Sequence, residues 1–260
     1  MSAISRARAC SALLIALLAA LFAVACAEDT GAKPSADAIE TADSASREVH
    51  IDSASGTAPG DGGVAGTPVS LDAHVFGAGP TGVILAHMRP ADQTSWFPFA
   101  TRLAGSGDFT VLTFDFRGFG ASGGDKAFDR MDADLASAYT YMRDTLRIGK
   151  VFLVGASIGG TASLVVGARV TVAGVVSISS PAQFENMDAL GATPRIAAPT
   201  LFIASRDDVS ALRSLDELVA AALGPKDQQV YDGNAHGTDL FESPHASELE
   251  QRLIDFLTRN

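Results

Sequence analysis

The sequence predicts an α/β fold, a mostly parallel central sheet with helices on both faces and no large cap domain. Three observations carry that expectation. Apolar, β-branched runs recur along the chain: "GVILA" at 82–86, "FTVLTFDF" at 109–116, "KVFLVG" at 150–155, "VAGVVSIS" at 172–179 and "PTLFIA" at 199–204. Helix-like stretches separate them; in 129–147, Met131, Leu135, Ala138, Tyr139, Met142 and Leu146 return at three- and four-residue steps. The runs are also apolar nearly throughout rather than alternating. That is the signature of strands covered on both sides, as parallel strands are when helices connect them.

Ahead of this pattern the chain has a different texture. Residues 1–25 carry Arg6 and Arg8 and then a run of about fifteen apolar residues, the grammar of an export signal and too short for a comfortable membrane span. Two ends of that signal stay open. "AVAC" resembles the lipobox of bacterial lipoproteins, with Cys26 as the lipidated first residue, although Ala23 stands where leucine is usual. "ACA" fits ordinary cleavage after Ala27. Residues 26–46 are rich in Ala, Ser, Asp and Glu, cannot form a core, and read as a tether to the cell envelope. The expected locations are therefore an envelope lipoprotein or a soluble exported protein. From residue 47 to 260 one domain is expected, opening with two alternating antiparallel strands, "REVHIDS" and "PVSLDAHVFG". The glycine-rich "SGTAPGDGGVAG" joins them as a loop.

Composition excludes some functions. The chain has 19 basic against 30 acidic residues, and no Lys/Arg run, so nucleic acid is not an expected partner. Its only cysteines, Cys10 and Cys26, lie in the signal region, which leaves the folded domain without a disulfide or thiol site. No His/Cys/carboxylate cluster with the spacing of metal ligands is visible in the linear sequence. Neither metal nor organic cofactor is expected.

Two stretches fit the pattern G-x-S-x-G: "GASGG" around Ser122 and "GASIG" around Ser157. A serine nucleophile displayed on a tight strand-to-helix turn needs a strand running into it and a helix starting directly after it. Only small residues fit two positions to either side. Ser157 meets these demands: "KVFLV" precedes it, Gly155 and Gly159 flank it, and "IGGTASLVVGARV" follows as a small-residue helix. Ser122 does not, since "RGFG" separates it from the preceding strand and "GGDKAFD" starts no immediate helix.

A serine also needs a base, and the base an orienting acid. Among five histidines, His236 in "DGNAHGTD" sits in a loop after the strand-like "QQVY", while His245 begins the C-terminal helix and reads as a surface residue. The acid should end the preceding parallel strand, where "TLFIASRDD" offers Asp207 and Asp208. One of the pair is expected to serve as the acid, the other as N-cap of the helix "VSALRSLDELVAAAL".

"HMRPADQTSW", "DFRGFGASGG", "GASIGG", "ASRDD" and "GNAHG", in this order, resemble the α/β-hydrolase superfamily, particularly its dienelactone-hydrolase-like and serine-aminopeptidase-like branches. The resemblance covers about residues 47–260. It implies Ser157 as nucleophile, His236 as base and a strand-end aspartate as its partner. "SRDD" matches the acid motif G-x-x-D with Ser205 in the glycine place, which points to Asp208 and keeps Asp207 open. It further implies an oxyanion hole from the backbone N–H groups of Ile158 and Met88, the latter standing where glycine is common, with His87 shaping the loop. The implied activity is serine-hydrolase cleavage of carboxylic esters or related acyl bonds in small molecules. The alternatives are an acyltransferase using the same triad and a non-catalytic binding module. About twenty residues separate "GVVSIS" from "TLFIA", enough for one short helix from "QFENMDAL" but not for a cap. The site is expected to be open to short acyl chains, with Phe184, Met187, Met88 and Trp96 either walls of a shallow pocket or core and surface filler.

Overall fold

The structure, a computed structural model, describes residues 46–53 and 68–260. The predicted signal, Cys26, the tether up to residue 45 and the whole glycine-rich loop lie outside the described residues. Strand β1 (Ser46–Ser53) begins one residue before the expected domain start and pairs antiparallel with β2 (Val69–Phe76), Ser46 opposite Phe76 and Ser53 opposite Val69.

The other strands of the main sheet are β3 (Thr81–Ala86), β4 (Phe109–Phe114), β5 (Lys150–Ala156), β6 (Gly174–Ile178), β9 (Thr200–Ser205) and β10 (Lys226–Tyr231), the two short strands between β6 and β9 forming a hairpin of their own. With β1 and β2 they form one eight-stranded sheet in the order β1-β2-β4-β3-β5-β6-β9-β10. From β4 to β10 every neighbouring pair is parallel; β2 is antiparallel to both its neighbours. The chain leaves β3 toward β4 on one side and returns to β5 on the other. The loops after β3 and β5 therefore diverge at the sheet's centre, the crevice where open α/β sheets hold ligands.

The continuous apolar strands are explained by two cores, one on each face. Ile84, Ala86, Leu153 and Phe202 pack against α2 (Met131–Thr140), α3 (Ile158–Gly167) and α5 (Val209–Ala221) through Leu135, Ala138, Ala162, Leu215 and Leu218. Val83, Leu85, Phe152 and Val154 face the other way, onto α1 (Phe97–Ala104) and α6 (Ala246–Arg259) through Phe97, Phe99, Leu103, Leu249, Leu253 and Phe256. All ten residues of α3 are buried, so its glycines and alanines are what lets it lie against the sheet.

The segment after β6 differs from its expectation. "QFENMDAL" does not form one helix: Gln183–Phe184 (β7) and Met187–Asp188 (β8) make a two-stranded hairpin, with Glu185 in the left-handed region. A four-residue helix α4 (Ala189–Ala192) follows, capped by Asp188 Oδ1 accepting from Gly191 N–H at 2.8 Å. The hairpin is too small to form a cap.

Candidate active site

Ser157 sits between β5 and α3 with φ 51° and ψ −119°, a conformation that costs about 1–3 kcal/mol for a residue with a side chain. Three backbone hydrogen bonds hold it there. Ser157 N–H donates to Ile178 O at 2.7 Å, and Gly160 and Thr161 N–H donate to Ser157 O at 2.9 and 3.0 Å. The turn also depends on three glycines. A Cβ on Gly155 would stand 2.2 Å from Gly159 O, one on Gly159 2.4 Å from Ala86 O, and one on Gly160 1.9 Å from Ser180 Oγ. Gly160 is the member that sequence reading passes over, because its obstacle lies twenty residues away. Ser157 is 7% exposed, and its hydroxyl has no hydrogen-bond partner among the described residues.

The other two predicted side chains meet. His236 Nδ1 donates to Asp208 Oδ2 at 2.5 Å, with the imidazole 37% exposed and the carboxylate 12%. The loops that carry them are zipped together. Arg206 N–H donates to Tyr231 O at 2.8 Å, Asp207 N–H to Gly233 O at 2.9 Å, and Ser205 Oγ to Ala235 O at 2.5 Å. Ser205, the apparent departure from the glycine motif, thus anchors the residue before His236.

The expected division of labour between the two aspartates does not hold. Asp208 does both jobs: while Oδ2 takes the imidazole, Oδ1 accepts from Ala211 N–H at 3.3 Å as N-cap of α5. A carboxylate has two oxygens, and here each serves a different helix or loop. Asp207 is exposed and contributes only its backbone N–H.

Gly237 joins the histidine loop to the serine. Its φ is +56°, and a Cβ there would meet Met88 Sδ at 2.6 Å and Ala156 Cβ at 3.3 Å. The residue after His236 therefore lies on the residue before Ser157 and on the Met88 side chain, which is buried beneath it. Met88 points its side chain into this contact, away from solvent. Its N–H and that of Ile158, the first residue of α3, have no hydrogen-bond acceptor among the described residues. A helix N-terminus and a neighbouring loop amide are the arrangement that stabilises an anion.

His87 braces this loop. Its Nε2 accepts from Phe116 N–H at 3.0 Å, which places the proton on Nδ1, and Nδ1 donates to Met88 O at 2.8 Å. Burial holds its pKa below the ordinary histidine range, consistent with a neutral ring clamped between two backbone groups. Ser122 is committed elsewhere: Oγ donates to Asp115 O at 2.6 Å and accepts from Asp72 N–H at 2.8 Å.

Of the four candidate pocket walls, two are core. Trp96 and Met187 are 0% and 1% exposed and belong to the two cores, so neither lines an open pocket. Phe184 is half-buried in a rim of edge-on aromatics, 5.6 Å from Phe128, which stands 6.2 Å from Phe119. The guanidinium of exposed Arg89 lies 5.5 Å over the Phe128 ring. A cavity of about 220 Å³ lined by Thr200, Lys226, Phe256 and Arg259 lies at the opposite ends of the strands and has no part in this site.

No relative is found among curated proteins by sequence. Solved structures are similar in fold at low identity. An esterase from Pyrococcus furiosus superposes with a TM-score of 0.63 at 19% identity, covering 82% of this chain and 90% of the esterase. A dienelactone hydrolase from Anabaena variabilis gives 0.62 at 19%, covering 83% and 98%, and a monoacylglycerol lipase from Paleococcus ferrophilus 0.63 at 18%, covering 72% and 98%. A family model described as the alpha/beta hydrolase fold matches residues 82–217. That match spans over half the chain, from the strand before Met88 through Ser157 to the helix that Asp208 caps, and the chain belongs to the α/β-hydrolase fold family.

Proposed function

We propose that the protein is a serine hydrolase that cleaves carboxylic esters with short acyl chains through an acyl-enzyme. The observation that carries this is the 2.5 Å hydrogen bond from His236 Nδ1 to Asp208 Oδ2, on a loop packed against the residue before Ser157. With its Nδ1 proton held by the carboxylate, the imidazole keeps a lone pair on Nε2 for the serine proton.

In the first step His236 Nε2 takes the Ser157 proton as Oγ attacks the ester carbonyl carbon, and the carbonyl electron pair moves onto oxygen. The Ile158 and Met88 amides receive that oxyanion; one such donor is typically worth about 3 kcal/mol of transition-state stabilisation. Collapse expels the alcohol, which takes the proton from His236. Water then repeats the cycle on the acyl-enzyme and returns free carboxylic acid and serine. Met88 serves through its backbone, so its side chain is free to support Gly237.

Support for the short-chain preference comes from the twenty-one residues between β6 and β9, which make a hairpin and one turn of helix over the sheet rather than a cap. A deep acyl groove would add about 0.8 kcal/mol per buried methylene. Turnover of p-nitrophenyl esters from C2 to C16 by the wild-type protein tests the proposal. The expected kcat/KM rises little beyond C6. No turnover of any ester contradicts the activity, and an optimum at C10 or longer contradicts the chain-length preference.

A further inference from the structure

We propose that Glu48, His50 and Asp72 form a binding site for a divalent transition-metal ion such as zinc, fastening edge strand β1 to β2. In the antiparallel register Glu48 lies opposite His74 and His50 opposite Asp72. The two-residue period of a strand puts these four on one face of the ribbon, while Val49 and Ile51 turn into the core. In the linear sequence Asp72 is more than twenty residues from Glu48 and His50; the sheet register brings them together. One ligand atom each from Glu48, His50 and Asp72 can be chosen so that all lie within 4.8 Å of one another. His50 Nδ1 is 3.9 Å from Asp72 Oδ1, and its Nε2 is 3.8 Å from Glu48 Oε1.

Asp72 is the most buried and the best fixed of the three. It is 7% exposed, and its Oδ2 accepts from Gln93 Nε2 at 2.7 Å. The same amide nitrogen lies 3.2 Å from Asp115 Oδ2, so one neutral amide serves two buried carboxylates. Asp72 Oδ1 accepts no hydrogen bond among the described residues and faces His50. An oxygen without a protein donor, on a carboxylate whose other oxygen is already fixed, is open to a cation. The Gln93 hydrogen bond also fixes the carboxylate, as the outer partners of metal ligands do.

Tetrahedral zinc with bonds near 2.0–2.1 Å keeps its ligand atoms about 3.3 Å apart, so the group must close slightly. It can, because the buried Asp72 is the only preset member. The side chains of Glu48 and His50 are 63% and 65% exposed and free to turn inward. One imidazole nitrogen with two carboxylates suits zinc and its neighbours better than magnesium or calcium, which take oxygen throughout. His74 Nε2, 3.9 Å from Asp72 Oδ2, stands beside the site from the next cross-strand pair.

The test is thermal unfolding of metal-stripped full-length protein with ZnCl2 or MgCl2. Zinc at a hundredfold excess over its Kd should raise Tm by about 5 °C or more, and magnesium should not. His50→Ala should abolish the zinc shift and Glu48→Gln should reduce it, both with ester turnover unchanged; their exposure makes misfolding no obstacle. No zinc shift in the wild type, or an equal shift in His50→Ala, overturns the proposal.

Discussion

The chain carries the pattern G-x-S-x-G twice, and the two serines are almost equally buried, Ser122 at 9% and Ser157 at 7%. Their hydroxyls live differently. Ser122 Oγ is occupied twice, donating to Asp115 O and accepting from Asp72 N–H, and so stitches a glycine-rich turn to β2. Ser157 Oγ has no partner among the described residues, and its backbone is held in a strained left-handed conformation by the helix that follows and the strand beside it. The comparison teaches that the motif records only the smallness of a turn. A free hydroxyl at a helix N-terminus is what separates a candidate nucleophile from a structural serine.

Substitutions can break that comparison, starting with the serine itself. Ser157→Ala should lower kcat for p-nitrophenyl acetate by at least about 10³-fold, because no other group can carry the acyl intermediate. A rate near wild type would remove Ser157 from the chemistry. Next in size is the acid. Asp208→Asn should cost about 10⁴-fold in kcat by allowing the wrong imidazole tautomer, while Asn still caps α5. Asp207→Asn should change kcat less than threefold, and the reverse ranking in steady-state kinetics would move the acid to Asp207.

Gly237→Ala should act more mildly. It places a side chain in the left-handed region at a cost of about 1–2 kcal/mol and pushes on Met88 Sδ. A roughly tenfold loss of kcat with a matching fall in urea stability is expected; unchanged kinetics would mean that the Met88 loop tolerates displacement. Ser122→Ala sharpens the contrast from the other side. It should leave kcat within about twofold but destabilise by about 1–3 kcal/mol in urea unfolding, since a buried Asp72 N–H loses its acceptor.

The strands and the elbow were legible in sequence for a common physical reason. Burial on both faces leaves continuous apolar runs, and tight packing at Ser157 leaves glycines at short range. What escaped depends on contacts distant in the chain. Gly160 meets Ser180, Ser205 holds Ala235, and Gly237 lies on Met88, none of which periodicity can reveal. The β7–β8 hairpin escaped because two-residue strands have no period to read. The dual role of Asp208 escaped because sequence counts residues, whereas the structure assigns the two carboxylate oxygens separately. Sequence alone leaves Trp96 and Met187 between pocket wall and core, because large apolar residues near a site look alike whether they face it or the core.

The central claim is that the unpartnered hydroxyl of Ser157 is activated by the His236–Asp208 pair. Labelling of the purified wild-type protein with a fluorophosphonate, followed by peptide mapping, tests it most directly. The account predicts one adduct per chain, on Ser157, lost in His236→Ala. An adduct on Ser122, or no adduct at all, would contradict it.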